Sequence, residues 1–137
     1  MYSKLVLESD LDLGGYDETN KKCNLSIVPL DRFHTGLEGN GKTIEGLCNT
    51  SIGVFGFFDQ LYGSYDDLVE VKNVKFKNVH IEGGTVGVLA SSLNNYGGSG
   101  PRYVDFSGVT IENVNLRSNY NAGVIAAHLY GADAKLD

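Results

Sequence analysis

Three stretches of the chain share one pattern of residues, and this repeat constrains the fold more than any other feature. They cover residues 37–56, 69–90 and 104–126. The equivalent positions are Leu37, Val69 and Val104; Ile44, Phe76 and Ile111; Leu47, Val79 and Val114; and the pairs Gly53-Val54, Gly87-Val88 and Gly123-Val124. A repeat of about 35 residues predicts stacked units around one continuous core.

Within each repeat, the residues are typical of short, bent strands. Apolar and polar residues alternate in Val69-Glu70-Val71 and Val104-Asp105-Phe106, and β-branched side chains are frequent. Two columns of Gly or Asn, which tolerate a left-handed backbone, predict the bends: Gly46, Asn78 and Asn113, and Gly41, Asn73 and Gly108. Stacked Asn side chains are expected to hydrogen-bond along the column. The sequence therefore predicts an all-β parallel solenoid (a β-helix) of about three coils.

A degenerate first coil is expected before these three. Leu11, Leu13 and Gly15 resemble Lys42, Ile44 and Gly46, and the polar residues 16–24 between the two sets read as a surface excursion. The 137 residues fit one domain, 1–137. Because another coil would begin where the chain ends, we expect it to be a fragment of a longer protein.

Charge and hydropathy exclude several classes of protein. The chain has 11 basic and 17 acidic residues, which argues against a nucleic-acid binder. No apolar run reaches the roughly 20 residues that span a bilayer, so membrane insertion by this segment is not expected. A signal peptide is also not recognised, since Met1-Tyr2-Ser3-Lys4 leads directly into strand-like sequence.

The two cysteines leave two interpretations open. Cys23 and Cys48 could form a disulfide across one turn of a coil, or remain two buried thiols. The sequence does not decide between them.

A phosphate-binding pattern is present but lacks its structural context. Residues 36–43 read Gly-Leu-Glu-Gly-Asn-Gly-Lys-Thr, which matches G-x-x-x-x-G-K-T. Phosphate binding needs a preceding apolar strand and a following helix whose amides hold the anion. Ile44-Glu45-Gly46-Leu47 is a poor helix, so we expect no nucleotide to bind.

One outward repeat position is acidic in every coil. Glu38, Glu70 and Asp105 would lie near the inter-strand spacing of about 4.8 Å, and Ca²⁺ could bridge them. The alternative, which we favour, is a solvated acidic stripe with no cofactor. Beside it, Glu45, Lys77 and Glu112 would stack with alternating sign.

Tyrosines mark the candidate ligand surface. Tyr62, Tyr96 and Tyr130 recur in Tyr-Gly pairs and form either an exposed row or, as we favour, a ladder packed between coils. Loops at 59–67 and 94–102 would carry Tyr62, Tyr65 and Tyr96 beside Asn and Asp, which suits a glycan, although the loops could be merely solvated. His34, His80 and His128 share no repeat position and are expected to be lone histidines.

Several segments resemble a bacterial family. Residues 9–15, 36–44 and Gly53-Val54-Phe55-Gly56 resemble the repeat of surface proteins with GLUG motifs, such as filamentous-haemagglutinin-like adhesins. Residues 74–81 and 86–90 resemble the N-terminal regions of IgA1-specific metallopeptidases in particular. Ile27-Val28-Pro29-Leu30 replaces the Trp-x-Pro-Ile segment of the family, and no His-Glu-x-x-His zinc motif occurs. The resemblance implies a right-handed parallel β-helix on a bacterial cell surface or outside the cell.

We therefore expect a non-enzymatic extracellular module that serves as an adhesion surface, stalk or spacer. Its partners would be a host glycan or protein surface and further coils of the parent protein. One alternative is a non-catalytic, substrate-positioning arm of an IgA1-type metallopeptidase. Another is a carbohydrate-active β-helix enzyme of the pectate lyase-like class, with calcium at the acidic column. Sequence beyond Asp137 would discriminate, because a zinc motif favours the peptidase and further coils with an anchor favour the adhesin.

Overall fold

The structure is a computed structural model that describes residues 5–30, 36–63, 69–95, 104–123, 126–130 and 134–136. Within these ranges the chain forms strands, turns and irregular segments, and none of the described residues is helical. The strands are β1 (Leu5–Val6), β2 (Leu11–Asp12), β3 (Tyr16–Asp17), β4 (Lys22–Cys23), β5 (Leu37–Glu45), β6 (Cys48–Asn49), β7 (Val54–Phe55), β8 (Phe58–Gly63), β9 (Val69–Gly87), β10 (Ala90–Asn95), β11 (Val104–Gly123), β12 (Ala126–Tyr130) and β13 (Ala134–Leu136).

Almost all strand pairing is parallel, as the repeat predicts. The main sheet has eight strands in the order β1-β5-β9-β11-β13, with β2 also on β5 and with β6 and β7 on β9. A second parallel sheet has the order β12-β10-β8, and β3 and β4 form a separate antiparallel hairpin. The prediction of an all-β protein built from parallel strands is thus confirmed for the described part of the chain.

The repeat positions coincide through the centre of the main sheet. Ile44 pairs with Phe76, and Phe76 pairs with Ile111, in the register that the sequence predicts. Ile44 and Phe76 are fully buried. The ring of Phe57, just before β8, meets the ring of Phe76 edge to face at 5.4 Å between centroids. The apolar residues of both sheets therefore share one core.

The long strands bend at the predicted Gly and Asn columns. Gly46, Asn78 and Asn113 have φ angles of 80°, 56° and 55°, and Gly41, Asn73 and Gly108 have 75°, 57° and 64°. Left-handed backbone is costly for other residues, which explains the composition of both columns. The Asn113 side-chain amide also donates to Asn78 Oδ1 at 2.7 Å, so the expected bond along the column is present.

One predicted alignment is wrong at the start of β5. Leu37 pairs with Val71 instead of Val69, and Glu38 consequently lies beside Lys72 instead of Glu70. Glu38 and Lys42 are four residues apart in the sequence, whereas their partners on β9, Lys72 and Val74, are only two residues apart. Asn40 and Gly41, both with positive φ, accommodate the two additional residues at the bend.

A second alignment is wrong at β7. The Gly53-Val54 and Gly87-Val88 pairs are not equivalent, because Val54 pairs with Thr85 and Phe55 with Val86. Burial explains this register, since Phe55 and Val86 are buried whereas Val54 is 56% exposed. The equivalence of Gly87 with Gly123 is confirmed.

The degenerate first repeat is present, with a corrected register. Leu11, not Leu13, pairs with Ile44, and the Gly15 amide donates to the Gly46 carbonyl, so the two glycines are neighbours. Gly14 and Gly15, with φ of 91° and 74°, take up one additional residue at this bend, since the Leu13 and Gly15 amides donate to the successive carbonyls of Glu45 and Gly46. Before them, β1 already pairs with β5, so this repeat begins at Leu5 in the described chain.

The core register is tested by two neighbouring residues on β9. Phe76→Ala is expected to lower the free energy of unfolding by about 3–5 kcal/mol, because it leaves a cavity among buried side chains. Lys77→Ala, on the exposed face of the same strand, should have little effect. Urea denaturation measures both, and equal shifts of the midpoint would contradict the register.

The bend column makes a second prediction. Asn113→Ala should destabilise the protein more than Asn113→Gly, because alanine in a left-handed conformation costs about 1–2 kcal/mol. Both variants lose the hydrogen bond to Asn78, so the comparison isolates the backbone conformation. If thermal denaturation shows the glycine variant to be the less stable one, the bend does not require left-handed backbone.

Candidate functional site

The β3-β4 hairpin is the predicted surface excursion, and a network on Asp17 shapes its turn. The Asp17 carboxylate accepts the Thr19 amide at 2.9 Å and the Asn20 side-chain amide at 2.7 Å. The Lys21 amide donates to the Asp17 carbonyl, and Lys21 has a φ of 59°. Hydrogen bonds from Asn20 hold the pKa of the Asp17 carboxyl below its ordinary value.

A disulfide attaches this hairpin to the main sheet. Cys23 on β4 is bonded to Cys48 on β6, with 5.7 Å between the two Cα atoms. Cys23 pairs with Tyr16 across the hairpin, and Cys48 pairs with His80 across the sheet. Of the two arrangements that the sequence allows for the cysteines, the structure has the disulfide. The bond therefore brings Tyr16 over His80.

His80 is a central side chain of this region rather than a lone histidine. Its ring stacks on the Tyr16 ring with 3.7 Å between centroids and 12° between planes. His80 Nε2 lies 2.6 Å from a carboxylate oxygen of Glu82, and Nδ1 lies 3.4 Å from the side-chain amide of Asn115. His80 is only 9% exposed. Ring stacking and two polar partners therefore fix the position of both rings.

An open groove runs beside this pair, and we call it the Tyr16 groove. Its volume is about 350 Å³. One wall is the start of the hairpin with Tyr16 and Glu18, and the floor follows the bend column from Gly46 through Asn78 to Asn113. Further lining residues include Asp12, Glu45 and Asn115. Amides, carboxylates and the rings of Tyr16 and His80 thus line a single groove.

The electrostatic environment of the groove is acidic. Asp12, Glu18 and Glu45 contribute carboxylates, and no Lys or Arg is among the described residues that line it. Burial raises the pKa of the Tyr16 hydroxyl, and the nearby Glu82 and Glu18 carboxylates raise it further. Tyr16 is therefore a neutral hydrogen-bonding phenol at physiological pH.

The structure does not bring the proposed calcium ligands together in one column. Glu70 pairs with Asp105 in register, but Glu38 lies beside Lys72, and Lys72 Nζ forms an ion pair with Glu70 at 2.9 Å. Glu38 accepts the amide of Asn40 and the side-chain amide of Asn73. The Asp105 side chain lies outside the described part. No group of three or more His, Cys, Asp or Glu side chains suited to a metal occurs among the described residues.

The tyrosine row is also corrected. Tyr62 pairs with Asn94, which in turn pairs with Tyr130, so Asn94 occupies the position expected for Tyr96. The start of each expected loop is strand, since β8 reaches Gly63 and β10 reaches Asn95. Tyr65, Tyr96, His34 and the side chains of Tyr62 and His128 lie outside the described part.

Neighbouring charges partly follow the prediction. Lys77 stands between Glu45 and Glu112 in register, as expected. The ion pair that forms on this face instead joins Lys75 Nζ to Glu112 at 3.3 Å. Both partners are substantially exposed, so the pair contributes little stability.

The phosphate-binding pattern lies in a strand. Residues 37–45 form β5, and the Thr43 amide, which would face phosphate in a nucleotide site, donates to the Asp10 carboxylate at 2.8 Å. The Asn40 side-chain amide donates to the Leu7 carbonyl at 2.9 Å. The segment thus binds its neighbours in the first repeat.

Comparison with family models, with curated proteins and with solved structures finds no match to this chain. No helix among the described residues is long and apolar enough to cross a membrane.

Sequence reasoning missed Tyr16, His80, Glu82 and Asn115 as a group. The available signal was the pair of cysteines, because a disulfide from Cys23 to Cys48 places the polar excursion over the strand next to β6. His80 and Asn115 also share one repeat position.

The turn network gives a pH prediction. A lowered pKa means that ionised Asp17 stabilises the folded hairpin above its ordinary carboxyl pKa, and this contribution is lost as the pH falls through the lowered value. Carboxyl chemical shifts measured during an acid titration should therefore show a midpoint for Asp17 below the ordinary value of an aspartate side chain. Asp17→Asn should remove the acid sensitivity of the Thr19 amide resonance. An unchanged titration of that amide in the variant would contradict the network.

Proposed function

We propose that this chain is an extracellular, non-enzymatic module that acts as an adhesion surface, stalk or spacer. In this proposal the strands form a closed, right-handed parallel β-helix of about three coils plus a partial first coil. The parent would be a bacterial surface or secreted protein of the GLUG-motif kind. Support for the closed coil comes from the second sheet, whose order β8-β10-β12 follows that of β5, β9 and β11.

The observation that carries the proposal is the parallel pairing of equivalent strands from one repeat to the next. Such pairing places outward side chains in columns, which suits a surface that presents contacts rather than a site that encloses a substrate. The Glu45, Lys77 and Glu112 column and the Asn78 and Asn113 column are examples. Further coils of the parent could continue both sheets.

The Cys23–Cys48 disulfide supports the extracellular location. Structural disulfides persist in oxidising compartments and are rare in the cytosol. The acidic surface is compatible with a protein partner or a glycan and disfavours phosphate-rich partners.

The role of the disulfide can be measured with a double variant. Cys23→Ser/Cys48→Ser is expected to reduce the free energy of unfolding by about 2–4 kcal/mol, because the bond restricts the unfolded chain. A reductant should lower the melting temperature of the wild type and leave that of the double variant unchanged. If reductant does not change the melting temperature of the wild type, the disulfide no longer supports an oxidising compartment.

The function itself is tested by display of the chain on a non-adherent bacterium. Cells that carry it should be retained on an array of immobilised glycans and matrix proteins more than cells with an empty display scaffold. In parallel, the purified chain is incubated with polysaccharides and Ca²⁺. New reducing ends or unsaturated products would contradict the non-enzymatic proposal.

A further inference from the structure

We propose that the Tyr16 groove binds a neutral, extended oligosaccharide. This inference rests on the proposed recognition function and names its ligand class and site. It also assigns the site to residues other than the tyrosines that the sequence indicates, on the face that the hairpin and the bend column share.

The size of the groove fits a small ligand. Its volume of about 350 Å³ lies within the range of about 300–1,000 Å³ that is usual for ligand pockets. The floor crosses four successive repeats of the chain, at Gly15, Gly46, Asn78 and Asn113, which hydrogen bonds and strand pairing place side by side. Three inter-strand spacings of about 4.8 Å give a length of roughly 14 Å, enough for an extended chain of a few sugar units.

Polar groups of the lining match hydroxyl groups. Carboxylates such as Glu45 accept hydrogen bonds, whereas the amides of Asn113 and Asn115 both donate and accept. Neighbouring hydroxyls on a sugar ring both donate and accept, and they can therefore use both kinds of partner. The absence of Lys and Arg from the described lining disfavours an anionic sugar or a phosphate.

Tyr16 supplies the aromatic surface at the edge of the groove. Its ring is already held by stacking on His80, which Glu82 and Asn115 hold in turn. Little side-chain freedom remains to be lost when a ligand binds, so the contact is preorganised. A rigid ring with a neutral hydroxyl is suited to contact the apolar face of a sugar while its oxygen bonds to a hydroxyl.

The ligand class is tested by NMR titration of the whole chain. The probes are tetrasaccharides of β-1,4-linked glucose, mannose, galactose and xylose, together with tetragalacturonate and tetralysine as charged comparisons. We expect saturable shifts of Gly46, Asn78 and Asn113 amides with at least one neutral probe. Saturable binding of tetralysine but of no neutral probe would overturn the proposal in favour of a cationic peptide. Saturable binding of tetragalacturonate but of no neutral probe would overturn it in favour of an anionic sugar.

Variants then locate the contact. Tyr16→Ala should weaken binding of the neutral probe by about tenfold, as expected for a lost aromatic contact. Tyr16→Phe should retain most of the affinity, and Tyr120→Ala, at a tyrosine that is 83% exposed outside the groove, should retain all of it. Since Tyr16→Ala also removes the stack on His80, Glu45→Gln serves as a second variant that leaves the hairpin intact and should weaken binding severalfold.

The outcomes separate this inference from the proposed function. If no neutral probe shifts the groove amides, or if Tyr120→Ala weakens binding as much as Tyr16→Ala, the groove is not the site. Cells that display the chain would still be retained on the array in that case if another surface mediates adhesion. If a neutral probe binds the groove but the displaying cells are not retained on the array, the adhesion function is contradicted and the oligosaccharide site still stands.

Discussion

The parallel hydrogen-bond ladder that joins β5, β9 and β11 organises the part of the molecule that the structure describes. Side chains alternate between two faces of a strand, so a shift of one residue would exchange the core with the surface. Ile44, Phe76 and Ile111 are consecutive in this ladder. Residues can consequently be added only in pairs within a strand, or at bends where the alternation is interrupted.

The bends are where the chain uses this freedom. Two additional residues enter at Asn40 and Gly41, and one more at Gly14 and Gly15, all with positive φ. On β11 an irregularity between Ser118 and Asn121 leaves Tyr120 exposed. Each addition leaves the buried positions on either side in register. Gly and Asn thus shape the bends and also absorb differences in length between repeats.

This explains how far the sequence predicts the fold. Apolar spacing identifies the parallel all-β architecture and the central column, and the Gly and Asn columns identify the bends. An alignment by residue type assumes repeats of equal length, however, and it fails beyond an insertion at a bend. Glu38 is misplaced for this reason. Val54 is misplaced because Gly-Val pairs look equivalent in sequence, whereas burial selects Phe55.

The groove was less predictable because its walls come from separate parts of the chain. Tyr16 belongs to the hairpin, whereas His80 and Asn115 belong to β9 and β11. The repeat identifies His80 and Asn115 as equivalent, but it contains no information about the hairpin, which occurs only once in the chain. Only Cys23 and Cys48 connect the two parts in the sequence, and they become informative only when the bond between them is known.

The hairpin itself is too small to be stable without the sheet. Two strands of two residues each have little hydrophobic surface, and isolated two-stranded hairpins are at best marginally stable. Its attachments to the main sheet include the disulfide, the Tyr16 ring on His80 and the hydrogen bond from the Gly15 amide to the Gly46 carbonyl. None of these contacts involves the central Ile44 and Phe76 column. Exposed hairpin residues along the groove, such as Glu18, can therefore change without loss of the core, which is the division of roles that a recognition surface on a rigid scaffold requires.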